Sequence, residues 1–358
     1  MSSFDFKSYV QKHLGGGIPD VNVDSSAGHT PEAGPSRPTF SVQVLTGGLT
    51  NHTARISFSD PLRDILPNIL SNDTGRPKDD VLDQKSTILK HAPPYIATDP
   101  SQVMSVDRQL IEKSALQLLN AEMTGGASPG SGSDYGLKLD GLFRGRDAPD
   151  RSPSSAAVSK KMSLHIPRLI WHDRQQNVLW IEDLGQMRTL SEVLLDCSPA
   201  ETDTDDEVRT RLSLVASDLG TFLARLYSLT SNPPERLLSS LTSSFDPGAI
   251  HDYLANMVLE NLHRPESGVS SKEARALADR VRQGLKDNAK LAGEDMCLGM
   301  VDFWPESVLV DLGVDSKAVR DGDVGSPRSG LVDWEYFGPS NAANELGMFC
   351  KPFLEFQV

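Results

Sequence analysis

The chain predicts an α+β fold in two lobes, an antiparallel β-sheet lobe followed by a mainly helical one. Between Thr39 and Lys90, apolar and polar residues alternate in short runs broken by glycine and proline, the period of half-buried strands. Beyond Gly185, apolar residues recur every three or four positions, the period of amphipathic helices. At 358 residues there is enough sequence to bury a core in each lobe.

Taken in order, residues 1–38 start with a short helical piece, Phe4 to Leu14, and then turn rich in Gly, Pro and Ser, which predicts a mobile leader. Phe40, Val42 and Val44 alternate with polar residues, Thr46-Gly47-Gly48-Leu49-Thr50-Asn51 intervenes, and alternation resumes from Ala54 to Phe58. This predicts strand, glycine turn, strand. The glycine pair either lets backbone N–H groups approach a phosphate or simply closes a hairpin. Residues 59–84 are polar and proline-punctuated, an extended connection with one short helix. Ser86 to Lys90 reads as a strand with a lysine at its end. From Asp107 to Ala121, Leu110, Ile111, Ala115, Leu118 and Leu119 mark a helix, with Glu112 beside the apolar stripe and positioned to pair with Lys90.

Residues 125–160 are dominated by Gly, Ser, Pro, Asp and Arg and read as a disordered insertion. Ile166–Trp171 and Asn177–Gly185 predict an antiparallel pair whose exit, Glu182-Asp183-Leu184-Gly185, is the candidate hinge between lobes; exposed backbone there suits a purine edge. The predicted lobes are 39–184 and 185–358. In the second, Val208 to Leu226, Ile250 to Val258 and Ala274 to Leu285 carry helical stripes, and acidic residues 201–207 lie where a helix amino terminus favours negative charge. No internal repeat is visible.

Two acids stand out late in the chain. Asp302 follows a short apolar run and precedes the turn Trp304-Pro305-Glu306, and Asp333 ends the apolar run Leu331-Val332. A hairpin joining the two strand ends would place both at one mouth, where a metal ion and a hydroxyl could meet, the arrangement phosphoryl transfer needs. Each Asp equally suits the ordinary role of starting or ending a turn. The polar interval Gly313 to Ser329 reads as a surface excursion.

The formal net charge of −14 opposes general affinity for nucleic acid or an anionic membrane surface. Cys197, Cys297 and Cys350 are odd in number and widely spaced, with neither a zinc pattern nor a disulfide framework. With no apolar run long enough for a membrane span and no secretory pattern at the start, the expectation is a cytoplasmic protein.

With these pieces in order, residues 40 to 350 resemble the aminoglycoside phosphotransferase and choline kinase superfamily, the small-molecule branch of the protein-kinase-like fold. Gly47-Gly48-Leu49-Thr50-Asn51 resembles the nucleotide loop, Lys90 and Glu112 the phosphate-steering lysine and its glutamate, and Ile181-Glu182-Asp183-Leu184-Gly185 the adenine hinge. Leu219 to Tyr227 is similar to the helix before the catalytic region, with Tyr227 where a His is common. Met300 to Val310 resembles the catalytic His-Gly-Asp loop, and Val332-Asp333-Trp334-Glu335 the metal-binding motif.

The resemblance implies a bilobal kinase-like fold and transfer of the γ-phosphate of ATP to a hydroxyl of a small acceptor. It assigns Asp302 as the base and Asp333, with Ser307, to Mg2+. Neither a nucleic acid nor a membrane partner is implied. The sequence departs from the pattern at Met300, where a His is usual, and at Ser307, where an Asn is usual; Ser presents a shorter, neutral ligand to magnesium. The alternative these departures carry is a catalytically silent nucleotide-binding scaffold. Further helices are expected after Asp333, where this chain has 25 residues. Acidic side chains from 246–266 or 335–355 would suit a cationic acceptor.

Overall fold

A computed structural model describes residues 4–14, 39–46, 48–66, 79–121, 163–196, 203–242, 255–256, 259–260, 262–263, 268–288, 296–313 and 326–355. The architecture is α+β, with an antiparallel sheet toward the amino terminus and helices toward the carboxyl terminus. Two compact units emerge: one takes residues up to Gln102 together with Arg168–Asp183, the other Val103–Pro167 and Leu184 onward. Among the described residues no helix is long and apolar enough to cross a membrane.

The sheet unit is built on five strands in the order Phe40–Leu45, His52–Phe58, Ser86–His91, Val178–Glu182, Leu169–Asp173, all antiparallel. The predicted alternation is realised at Ala54, Ile56 and Phe58, which are buried on one face. Helix Phe6–Leu14 lies against this core: Phe6, Tyr9 and Val10 are buried in one cluster with Ile56, Leu89 and Trp180. Residues 15–38 of the predicted leader lie outside the described residues. The contact is specific as well as apolar. The buried Trp180 indole N–H donates to Tyr9 Oη at 3.0 Å, and the Tyr9 hydroxyl donates to Asp173 Oδ2 at 3.2 Å, so both amphipathic rings find a partner.

Among the described residues the connection over 59–84 contains two short helices, Leu62–Ile65 and Asp79–Leu82, and an unforeseen small hairpin, Tyr95–Ile96 with Asp99–Val103, follows the lysine strand. The expected insertion over 125–160 lies outside the described residues.

The second unit contains helix Arg108–Ala121 as well as the carboxyl-terminal helices. Helix Asp203–Leu229 buries Val215, Leu219, Phe222, Leu223 and Leu226, the stripe its periodicity predicts. The third stripe forms Ser271–Asn288, while most of the second, Ile250 to Val258, lies outside the described residues. A four-stranded sheet runs Leu164–His165, Arg328–Leu331, Val308–Asp311, Arg188–Thr189. Arg328 and Ser329, placed by sequence in a surface excursion, thus belong to a strand; residues 314–325 lie outside the described residues.

Candidate active site

The second unit carries the two late aspartates. Strand Cys297–Gly299 leads into the first of them and pairs antiparallel with Gly338–Ser340. Leu298 N–H donates to Thr230 Oγ1 at 3.0 Å, which ties this strand to the end of the long helix. The chain then enters Met300-Val301-Asp302 under the control of Glu345, a residue sequence reasoning missed.

Glu345 is 1% exposed on helix Ala342–Glu355. Its carboxylate accepts the N–H of Met300 at 3.0 Å, the N–H of Val301 at 2.8 Å and the hydroxyl of Ser340 at 2.5 Å. Gly299 makes room for it, since a Cβ there would stand 2.6 Å from the Glu345 carboxyl carbon. Val301 has φ +67°, a left-handed conformation costing a β-branched residue about 1–3 kcal/mol. The two amide bonds to one buried carboxylate hold that conformation and so set the direction in which the next residue, Asp302, leaves the backbone. Burial raises the Glu345 pKa, opposed by these same three hydrogen bonds. The Tyr227 hydroxyl, near Glu345 and Cys297, is buried without a hydrogen-bond partner among the described residues, and burial pushes its pKa upward.

Asp302 is half-buried and accepts a hydrogen bond from the Trp304 indole N–H. Its pKa is pushed up to about 7, first by burial and then by the negative charges of Asp333, Glu335 and Glu345, with the Trp304 bond acting the other way. Met300, which occupies the position where the resembled family has His, is fully buried and fills core space.

Asp333 reaches the same centre through the predicted hairpin. Val308–Asp311 pairs with Arg328–Leu331, and the ladder continues as Val332 N–H donates to the Ser307 carbonyl at 2.9 Å. Ser307, 4% exposed, therefore stands opposite the residue before Asp333. Asp333 itself has φ +72°. The turn is nailed down by Trp334, fully buried, whose indole N–H donates to the Leu331 carbonyl at 3.0 Å and whose ring meets Phe222 and Phe337 edge-on. Glu335, 1% exposed, is paired with the fully buried Arg108 at 3.4 Å. Two acids of the 335–355 stretch, Glu335 and Glu345, are thus engaged internally rather than offered to a cationic acceptor; most of 246–266 lies outside the described residues.

Among the described residues no group of three or more His, Cys, Asp or Glu side chains forms a metal cage. The oxygen donors present, half-buried Asp333 with Asp302 in its field, fit magnesium, which is commonly held by one or two carboxylates while phosphates and waters supply the rest.

The remaining predicted residues are placed differently. In the sheet unit, Thr50 and Asn51 turn inward, with Asn51 Nδ2 donating to Thr50 Oγ1 at 3.2 Å. Gly48 is a close approach, a Cβ there lying 3.0 Å from the Asn51 carbonyl oxygen; Gly47 lies outside the described residues. Lys90 is 7% exposed, between Thr53 and Leu179 in the sheet. Glu112, 2% exposed, belongs to the other unit. The hinge acids are consumed by structure. Glu182 accepts from Arg168 Nη2 at 2.8 Å and Nε at 2.9 Å, and Asp183 from Arg55 Nε at 2.8 Å and Nη2 at 3.0 Å. Their side chains are ion-pair partners within the sheet unit. Leu184 starts the second unit, its side chain close against Gly330, and Gly185 follows at φ +92°.

No protein-family model matches the chain. In sequence it is 24% identical over 97% of its length to a 4-hydroxytryptamine kinase of Psilocybe cubensis and 23% identical over 86% to a 4-hydroxytryptamine kinase of Psilocybe cyanescens. These alignments span 73% and 66% of the relatives' own lengths. Among solved structures, a GDP and kanamycin complex of APH(2")-IIia matches with TM-score 0.42 at 12% identity, covering 87% of this chain and 72% of that one. A choline/ethanolamine kinase family protein from Mesorhizobium loti matches with TM-score 0.34 at 13% identity, covering 96% and 69%. An aminoglycoside-3'-phosphotransferase of type VIII matches with TM-score 0.36 at 13% identity, covering 87% and 77%. In sequence this chain is similar to small-molecule kinases, and its structural neighbours are aminoglycoside phosphotransferase and choline/ethanolamine kinase family proteins.

Proposed function

We propose that the protein is a small-molecule kinase that moves the γ-phosphate of ATP to a hydroxyl. The observation that carries this reading is the strained, Glu345-anchored loop that presents a half-buried Asp302 within the field of Asp333. Asp302 orients the acceptor hydroxyl and takes its proton, a role that a carboxylate titrating near neutrality suits. Asp333, with Ser307 alongside, holds Mg2+, which when bound neutralises charge on the phosphate oxygens. Lys90, Glu112, the Gly47–Asn51 loop and the hinge backbone take nucleotide-binding roles on the strength of the sequence resemblance.

For the acceptor, the names of the sequence relatives point to the phenolic hydroxyl of an indole amine. Purified protein incubated with magnesium-ATP and a panel of hydroxytryptamines, amino alcohols and aminoglycosides is expected to phosphorylate the hydroxytryptamines. Turnover of another class alone would overturn the acceptor assignment. A second reading, the silent nucleotide-binding scaffold, is favoured by the buried Met300 and by Ser307 in the metal motif. It predicts nucleotide-dependent thermal stabilisation with no transfer to any acceptor.

A further inference from the structure

Helix Arg108–Ala121 begins with a residue no sequence motif singled out. Arg108 is fully buried, its Nη1 donating to the Ser105 carbonyl at 2.6 Å and its Nε facing Glu335 Oε2 at 3.4 Å. Burying a guanidinium is costly unless carboxylates surround it. Here burial lowers its pKa, and the carboxylates of Glu335, Glu112 and Asp333 act against that, Glu335 most strongly. Glu335 lies two residues beyond Asp333, with the buried Trp334 between them. The backbone leaves Asp333 at φ +72°, a conformation that needs support from outside the turn.

We propose that Arg108 is a positioning residue for the Asp333 turn: by holding Glu335 it keeps Asp333 in its left-handed conformation. Trp334 fixes the middle of the turn from the core side, and Arg108 fixes its far end by charge. A metal-holding carboxylate gains orientation from such outer partners, whose loss typically weakens metal affinity or activity about 10–100-fold. The consequence for metal rests on the kinase reading, whereas the consequence for the turn does not.

The test uses the full chain with Arg108→Met, Arg108→Lys and Glu335→Gln. Hydrogen exchange by mass spectrometry is expected to show faster exchange in 331–337 for Arg108→Met, with rates in Val308–Asp311 changed less and partial recovery in Arg108→Lys. Manganese affinity in the presence of ATP, read by water proton relaxation, is expected to fall about 10-fold or more in Arg108→Met. The KM for the acceptor should stay near wild type while kcat falls. If Arg108→Met fails to fold, Glu335→Gln serves in its place, with the same local exchange and weaker manganese binding expected. Wild-type exchange at 331–337 in a folded variant overturns the clamp even if the kinase reading stands. Absence of manganese and ATP binding by the wild type sinks the kinase reading, and the exchange result then decides the clamp alone.

Discussion

Two pairs of acids, Glu182 with Asp183 and Asp302 with Asp333, follow the same sequence logic of an acid closing an apolar run, yet they do opposite things. Each hinge carboxylate is met by an arginine, Arg168 for Glu182 and Arg55 for Asp183, both by two guanidinium nitrogens. Such forks satisfy the charge and hold the strand end. Asp302 is instead pushed up first by burial and then by Asp333, Glu335 and Glu345, all of its own sign, with the Trp304 hydrogen bond acting the other way. A compensated acid is a structural fastener, and an acid left among other acids carries the raised proton affinity that chemistry can use.

The contrast breaks first at Asp302. Asp302→Asn is expected to cut transfer by roughly 100- to 10,000-fold, the span typical of a lost general base, while nucleotide-dependent thermal stabilisation persists. Full turnover in the variant would put the base elsewhere.

A smaller loss is expected at the anchor. Glu345→Gln keeps the shape but replaces an acceptor-only carboxylate with an amide that can satisfy only part of its partners. We expect kcat to drop about 10- to 100-fold with little change in nucleotide affinity, because the residue acts through the Val301–Asp302 backbone. Equal kcat in a folded Glu345→Gln protein would show that the loop holds its strain unaided.

The hinge should answer in stability instead. Asp183→Asn strands the part-buried Arg55 and is expected to cost about 3–5 kcal/mol in denaturant unfolding, with turnover per folded molecule changed less than about 3-fold. A large kcat effect without loss of stability would mean the hinge acids are chemical after all.

The mildest probe is pH. With its ordinary value of 3.8 and a folded value pushed up to about 7, Asp302 keeps a proton in the folded state that the unfolded chain has already released. Its contribution to stability is therefore full below about pH 4 and is lost as pH rises through about 7, a slope that Glu345, also raised, reinforces. Asp302→Asn should flatten that slope in thermal melts without magnesium. In the wild type, activity should rise over the same window as the base deprotonates, and magnesium should move its midpoint lower.

Much of the architecture was legible because it is periodic. Alternation marked Ala54, Ile56 and Phe58, and the three-to-four spacing marked Leu219, Phe222 and Leu226, since each element buries a face determined by its own local repeat. The hairpin joining Ser307 to Val332 was likewise readable from two apolar runs flanking a polar interval. Helix Phe6–Leu14 shows what periodicity misses: its helical character is local, but its docking depends on Trp180 and Asp173, more than 160 residues away. The same holds for Glu345 and Arg108, whose roles come from the backbone amides and the carboxylate they meet, partners that leave no mark at a fixed spacing.

By itself the sequence determined the strands and helices with a clear local period, which acids end the apolar runs and which family the ordered motifs resemble, because these depend on neighbours within a few residues. Only the tertiary structure decided that Glu182 and Asp183 are neutralised by arginines, that Met300 is core, that Val301 just before Asp302 takes a left-handed conformation held by Glu345, and that the left-handed Asp333 is followed two residues on by the Arg108–Glu335 pair. The physical reason is that charge compensation and strain are properties of what surrounds a residue in space, and the residues that supply them come from distant parts of the chain.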